Sequence, residues 1–233
     1  MATFTPIDLT LRPVASTRIL GIDPGTQVVG FGCLEWAGGN EASGRGEPGA
    51  RPLAMRGSNV VRASGSSGDA GVRLVGAGVL RLGKRGAELT ARLLSLSEQF
   101  VSVVAELAPT EVAIEEAFFG KSVQAALRIG EARGVVLTES ARAGLAVHQF
   151  APARIKRCVA GHGAARKESV ASMLQQLLPE LSAAGSAPLP ADATDALAVA
   201  WTRLEQLRSP LLAPSGPGRG RARAAPGART LGN

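Results

Sequence analysis

The chain of 233 residues is 45% hydrophobic but only 3% aromatic, with no Tyr, 29 Gly and 14 Pro, enough apolar content for one good-sized core plus extensions. Its net charge of +7 favours acidic partners, nucleic acid above all, although Arg208, Arg219, Arg221, Arg223 and Arg229, met by no acid from 208 onward, supply five of the seven charges. No apolar run reaches a membrane span, MATFTPIDLTLRPVAST is too polar for a signal peptide, and Cys33 and Cys158 lack metal-ligand spacing and read as small core side chains in a reducing compartment; a cytoplasmic protein with no membrane partner is expected.

Residues 1–17 read as an N-terminal extension. Residues 18–22, RILGI, read as a buried strand ended by Asp23, and PGT after it is a turn signal. QVVGFGCLEW, 27–36, is the returning strand of a hairpin. Residues 37–71, rich in Gly, Ser and Arg without a sustained period, read as a flexible insertion, and 72–82 resumes a strand. Leu89, Leu93, Leu96, Phe100, Val103, Val104 and Leu107 fall at helical spacing within 86–108, and Pro109 stops that helix. A short strand, 111–115, again delivers acids at its end. A long helix over 122–143, a strand over 145–150, helices over 152–160 and 165–178, a loop PELSAAGSAPLP and a last amphipathic helix over 191–207 follow. Residues 208–233 form a disordered basic tail. A β-meander followed by βα units predicts an α/β fold: one mixed five-stranded sheet flanked by helices over 18–207.

The chemistry-bearing acids come from three places. Asp23 ends the first strand, Glu115 and Glu116 end the fourth, and Asp192 and Asp195 lie in DATDALAVAW. The two most apolar strands are expected as central neighbours; if parallel, their C-terminal ends lie side by side. Alternation lets only one of Glu115 and Glu116 join Asp23. Asp192 and Asp195, three apart, share one face at a helix start. Clustered carboxylates stay ionised only beside cations, and an all-oxygen donor set suits Mg²⁺ or Mn²⁺. Two such ions about 4 Å apart are the usual device for attack of water on a phosphodiester. Blander readings stand beside these: Asp192 as a helix N-cap with Asp195 at N3, and Asp23 as an Asx-turn residue.

GIDPGTQVVGFG, AIEEAFFGKSVQAALRIGEARGVV, ARIKRCVAGHGAARKESV and DATDALAVAW, in this order over about 18–205, resemble the RuvC family of Holliday-junction resolvases. The resemblance implies an RNase H-like fold and a homodimer. It implies Mg²⁺-dependent cutting of two opposing strands of four-way junction DNA, with two Mg²⁺ per site (Mn²⁺ as substitute) and 5′-phosphate and 3′-hydroxyl ends. A branch-migration motor of the RuvA-RuvB type is the implied partner. By motif, the catalytic and metal-holding acids fall on Asp23, Glu115, Asp192 and Asp195; some members carry His at the position of Asp192. Phe118 matches an aromatic beside the junction centre. Lys156 and Lys167, expected at helix starts, match basic positions that would meet phosphate. Ser122 stands where members more often show Asn. His148 reads as a structural strand residue, and His162 as a loop histidine with no partner, a DNA-facing role being its alternative. The rivals are weaker: an actin-like ATPase needs a second phosphate hairpin, a non-catalytic DNA-binding module would lack some of the acids, and a scaffold leaves acids at two strand ends unexplained.

Overall fold

The structure, a computed structural model, describes residues 16–37, 71–83, 86–116, 122–182 and 188–209. Phe118 and most of the predicted extension, insertion and tail lie outside the described residues. Strands β1 (Thr17–Asp23), β2 (Val28–Trp36), β3 (Val72–Arg81), β4 (Glu111–Glu115) and β5 (Ala146–Phe150) form one sheet in the order β3-β2-β1-β4-β5. The first three form an antiparallel meander; β4 runs parallel to β1, and β5 parallel to β4. This is the mixed sheet expected from the sequence, with the first and fourth strands at its centre. Helices α1 (Leu89–Leu107) and α2 (Val123–Arg142) cover one face; α3 (Pro152–Ala160), α4 (Lys167–Leu177) and α5 (Ala191–Arg208) cover the other. A 3₁₀ turn, Pro179–Ser182, lies inside the predicted loop.

Alternation along β1 assigns its side chains. Leu20 and Ile22 join Phe31, Leu96 and Phe100 on the α1/α2 side, and Ile19 packs on the α5 side with Leu34, Ala113 and Leu197. Each large apolar side chain buried this way contributes roughly 1.5–3 kcal/mol. A one-residue slip would move every one of them to the wrong face, so the register is firmly set. By the same parity, Asp23 and Glu115 belong to the α5 face and Glu116, exposed, to the other. Cys33 is fully buried, and burial pushes its thiol up to about 12, the state of an inert core side chain. Cys158 is only partly buried.

The parallel register is pinned at the entrance to β4. Ala108, left-handed at φ 45°, and Pro109 end α1. Thr110 then straps the chain to β1: its N–H donates to Arg18 O at 2.8 Å, and its hydroxyl accepts from Arg18 N–H at 3.0 Å. Ile19 thereby pairs with Glu111 and Ile22 with Ile114, so the next residues, Asp23 and Glu115, emerge together.

Glycines let α5 lie directly on the sheet. A Cβ at Gly21 would stand 2.1 Å from Ala196 O, and one at Gly30 would stand 1.9 Å from Asp192 O. Either is far inside contact distance, so only Gly permits this approach. Sandwiched between the sheet and α3/α4, α5 is buried almost without a break from Ala196 to Thr202.

At the far end of the meander Ala37 N–H donates to Gly71 O at 3.2 Å, which closes the base of the 38–70 segment. Trp36 pairs with Thr17 and Gly30 with Asp23, so that base lies about 20 Å of strand away from Asp23.

Candidate active site

Two neighbouring parallel strands and one helix start meet at a single sheet end. Asp23 and Glu115 come from the ends of β1 and β4. Gly30, the cross-strand partner of Asp23, carries the backbone of Asp192 against it. Asp195 follows three residues later, on the same side of α5. Pro190, rather than Asp192, is the N-cap of α5, and no side chain caps that end. Asp192 is thus the second residue of the helix, where the positive end of the dipole favours an acid.

The carboxyls feel one another. Asp23 is pushed up to about 8, first by burial and then by the charges of Glu115 and Asp195, and it is hydrogen-bonded to Glu115. Glu115 is raised too, mainly by burial and then by Asp195, against the lowering effect of the Asp23 hydrogen bond, Lys167 and Lys156. In chemical terms, Asp23 and Glu115 share a proton because two adjacent half-buried carboxylates do not both ionise without a cation.

One cation is already there. Lys167 Nζ donates to Asp195 Oδ2 at 2.5 Å. Its pKa is raised, first through that hydrogen bond. Among the described residues no three His, Cys, Asp or Glu side chains are gathered closely enough to grip a metal ion as they stand. Asp23 is engaged by its hydrogen bond to Glu115, and Asp195 by the Lys167 ammonium. An all-oxygen set that has attracted both a proton and an ammonium fits a hard divalent cation.

The predicted residues therefore divide. Asp23, Glu115, Asp195 and Lys167 come together, with Asp192 fixed beside them by its backbone. Lys156, half-buried, reaches Glu115 through its charge. It is the fifth residue of α3 and not at a helix start, because Pro152 opens that helix. Phe118 lies outside the described residues. Ser122 caps α2, accepting from Ala125 N–H at 3.2 Å, a role Asn would fill equally well. His148 sits in β5, 3.1 Å from Glu111, whose carboxylate also takes a two-pronged bond from Arg203 at 3.0 and 2.9 Å.

Sequence reading missed the Lys167–Asp195 pair, although a signal existed. Arg166 and Lys167 place two cations at the start of α4, where the helix dipole disfavours them. A cation in that position asks for an outside partner.

Residues 47–203 match the family described as "Crossover junction endodeoxyribonuclease RuvC". Proteins of that name from Methylocella silvestris and Heliobacterium modesticaldum are 38% and 35% identical to this chain. The first match spans 84% of this chain and 89% of the relative, the second 78% and 90%. Among solved structures, Thermus thermophilus RuvC in complex with a Holliday junction substrate superposes with a TM-score of 0.61 at 27% identity, covering 82% of this chain and 95% of that one. The yeast mitochondrial Holliday junction resolvase, 15% identical, shares the fold with a TM-score of 0.53 over 86% of this chain and 83% of its own. The mixed sheet flanked by helices is thus RNase H-like.

Proposed function

The chain belongs to the RuvC family of crossover junction endodeoxyribonucleases, hydrolytic enzymes of DNA recombination and repair, and from that premise we propose that it resolves Holliday junctions by symmetric, Mg²⁺-dependent hydrolysis. The observation that carries this reading is the convergence of Asp23, Glu115 and Asp195 from two strand ends and one helix, with Asp192 alongside.

Asp23, Glu115, Asp192 and Asp195 would hold two Mg²⁺ ions, with Mn²⁺ as a substitute. When bound, such a pair lowers the pKa of water and stabilises charge on the leaving oxygen. The protein's share is placement. β1 and β4 fix two carboxylates side by side, and the glycine lane brings the third and fourth onto them. Asp23 gives up its shared proton as the ions enter. Lys156 and Lys167 face incoming phosphate as cations that offset its charge. Phe118 follows the acids of β4 and would stack on an unpaired base at the junction centre. Release of the 3′ oxygen leaves a 5′ phosphate and a 3′ hydroxyl.

Cutting two strands symmetrically calls for a homodimer. Leu94 and Val101 on α1 and Val123 and Leu127 on α2 are large apolar side chains left 49–64% exposed, and a dimer interface there would cover them. The nuclease domain is taken as 18–207. The base of the 37–71 insertion lies at the opposite sheet end from the acids, which supports an insertion that leaves DNA access open. The basic tail, 208–233, adds salt-sensitive DNA affinity, and a RuvA-RuvB type motor is the partner class expected to present the junction.

The test is a synthetic four-way junction labelled on each strand in turn. Two nicks at symmetric positions, in Mg²⁺ but not in EDTA, and sealed by DNA ligase, are the expected products. Unpaired nicks, or ends that ligase leaves open, would refute the proposal.

A further inference from the structure

Lys167 and Asp195 make an unequal pair. Asp195 is anchored in α5 with its side chain 21% exposed, whereas the Lys167 side chain is 71% exposed on a flexible four-carbon stem. The positive end of the α4 dipole disfavours a cation at its first position, with Glu168 the one acid of that first turn. The ammonium nevertheless crosses 28 residues of sequence to reach Oδ2 at 2.5 Å. Its charge also bears on Asp23 and Glu115.

We propose that Lys167 is a removable internal counter-ion: it holds Asp195 while the acid cluster is metal-free and leaves that oxygen when a divalent cation arrives. The inference rests on the reading that Asp195 is a metal ligand. A divalent ion binds carboxylate oxygen at about 2.1 Å, so an ammonium kept on the same carboxylate would face it at close range and be repelled. Loading is then an exchange of one cation for another, with no covalent step. The fixed member is the acid and the mobile member the lysine, as their exposures require. The exchange costs apparent metal affinity, and it spares the metal-free protein an uncompensated Asp195 carboxylate beside the Asp23–Glu115 pair.

Calorimetric titration of the full chain with Mn²⁺, after chelator treatment and without DNA, tests this. Lys167→Gln is expected to bind Mn²⁺ about fivefold tighter than the parent, the equivalent of an ion pair of about 1 kcal/mol removed from competition. Lys156→Gln, which removes a charge acting on Glu115 from a distance, should tighten binding by under about twofold. In a parallel melting experiment, Mn²⁺ should raise the melting temperature of Lys167→Gln by more than that of the parent. Unchanged or weaker binding in Lys167→Gln overturns the exchange, and so does equal tightening in Lys156→Gln, which would mean a diffuse field. Asp23→Asn and Asp195→Asn separate the two levels. If they lose Mn²⁺ while Lys167→Gln shows no gain, the acid site stands and the exchange alone fails. If they bind Mn²⁺ as the parent does, the acid-site reading falls and the exchange with it.

Discussion

Asp23 keeps its proton up to about pH 8, well beyond the point at which other aspartates have ionised. Its ordinary value is 3.8 and its folded value about 8, raised by burial and by Glu115 and Asp195. The folded state therefore binds this proton more tightly than the unfolded chain does. The stability it contributes is complete below about pH 4 and is lost as pH rises through about 8. In EDTA, the melting temperature of the parent should fall relative to Asp23→Asn between pH 5.5 and 8.5, because Asn has no proton to lose. The same melts with Mg²⁺ should show a smaller fall, since a cation stabilises the ionised form. A parent-minus-variant difference independent of pH would remove the shared proton from the account. Cleavage at fixed Mg²⁺ should rise over the same window, as ion binding must displace that proton.

Among the elements, α5 decides whether four acids are one site. Its contact with the sheet depends on hydrogen atoms where other residues carry a methyl. Gly30→Ala would drive a Cβ into Asp192 O, and we expect a loss of about 2 kcal/mol or more in chemical denaturation, together with weaker Mn²⁺ binding. Gly134→Ala, in the exposed interior of α2 with nothing within 4 Å, should instead stabilise by about 0.5–1 kcal/mol. Equal effects of the two substitutions would show that the close approach of α5 is unimportant. Much of this layout was legible beforehand. Apolar runs ended by acids marked β1 and β4 as central, alternation admitted only one of Glu115 and Glu116 beside Asp23 and the RuvC motif pointed to Glu115, and the three-residue spacing of Asp192 and Asp195 placed them on one helix face. The cation at the start of α4 hinted at an outside partner, but that the partner is Asp195 was not legible, because it depends on how α4, after the turn at Gly161, φ 82°, packs against α5. Lys156, by contrast, was legible as a mid-helix residue: the predicted helix over 152–160 is the one observed, and its expected place at a helix start did not follow from that span. The Glu111–Arg203–His148 cluster likewise joins three elements that no local pattern connects.

For the whole molecule, the proposed function calls for two copies and a charged substrate. Leu127, 64% exposed, and Val123, one turn earlier on α2, form an apolar pair on the surface. Leu127→Asp should shift the protein toward monomer in light scattering while its metal-free melting temperature changes by little, as expected for an exposed site. Paired nicks should become single ones. A dimer of unchanged strength would move the interface elsewhere. The central claim is that Asp23, Glu115, Asp192 and Asp195 act as one cation-holding centre that cuts DNA. Its most direct test measures cleavage and binding of one synthetic junction in parallel for the parent and for Asp23→Asn, Glu115→Gln, Asp192→Asn and Asp195→Asn in Mg²⁺. The account predicts that each variant loses cutting by about two orders of magnitude or more while its band-shift affinity for the junction is retained. Parent-like, Mg²⁺-dependent cutting by Asp23→Asn or Glu115→Gln would contradict it.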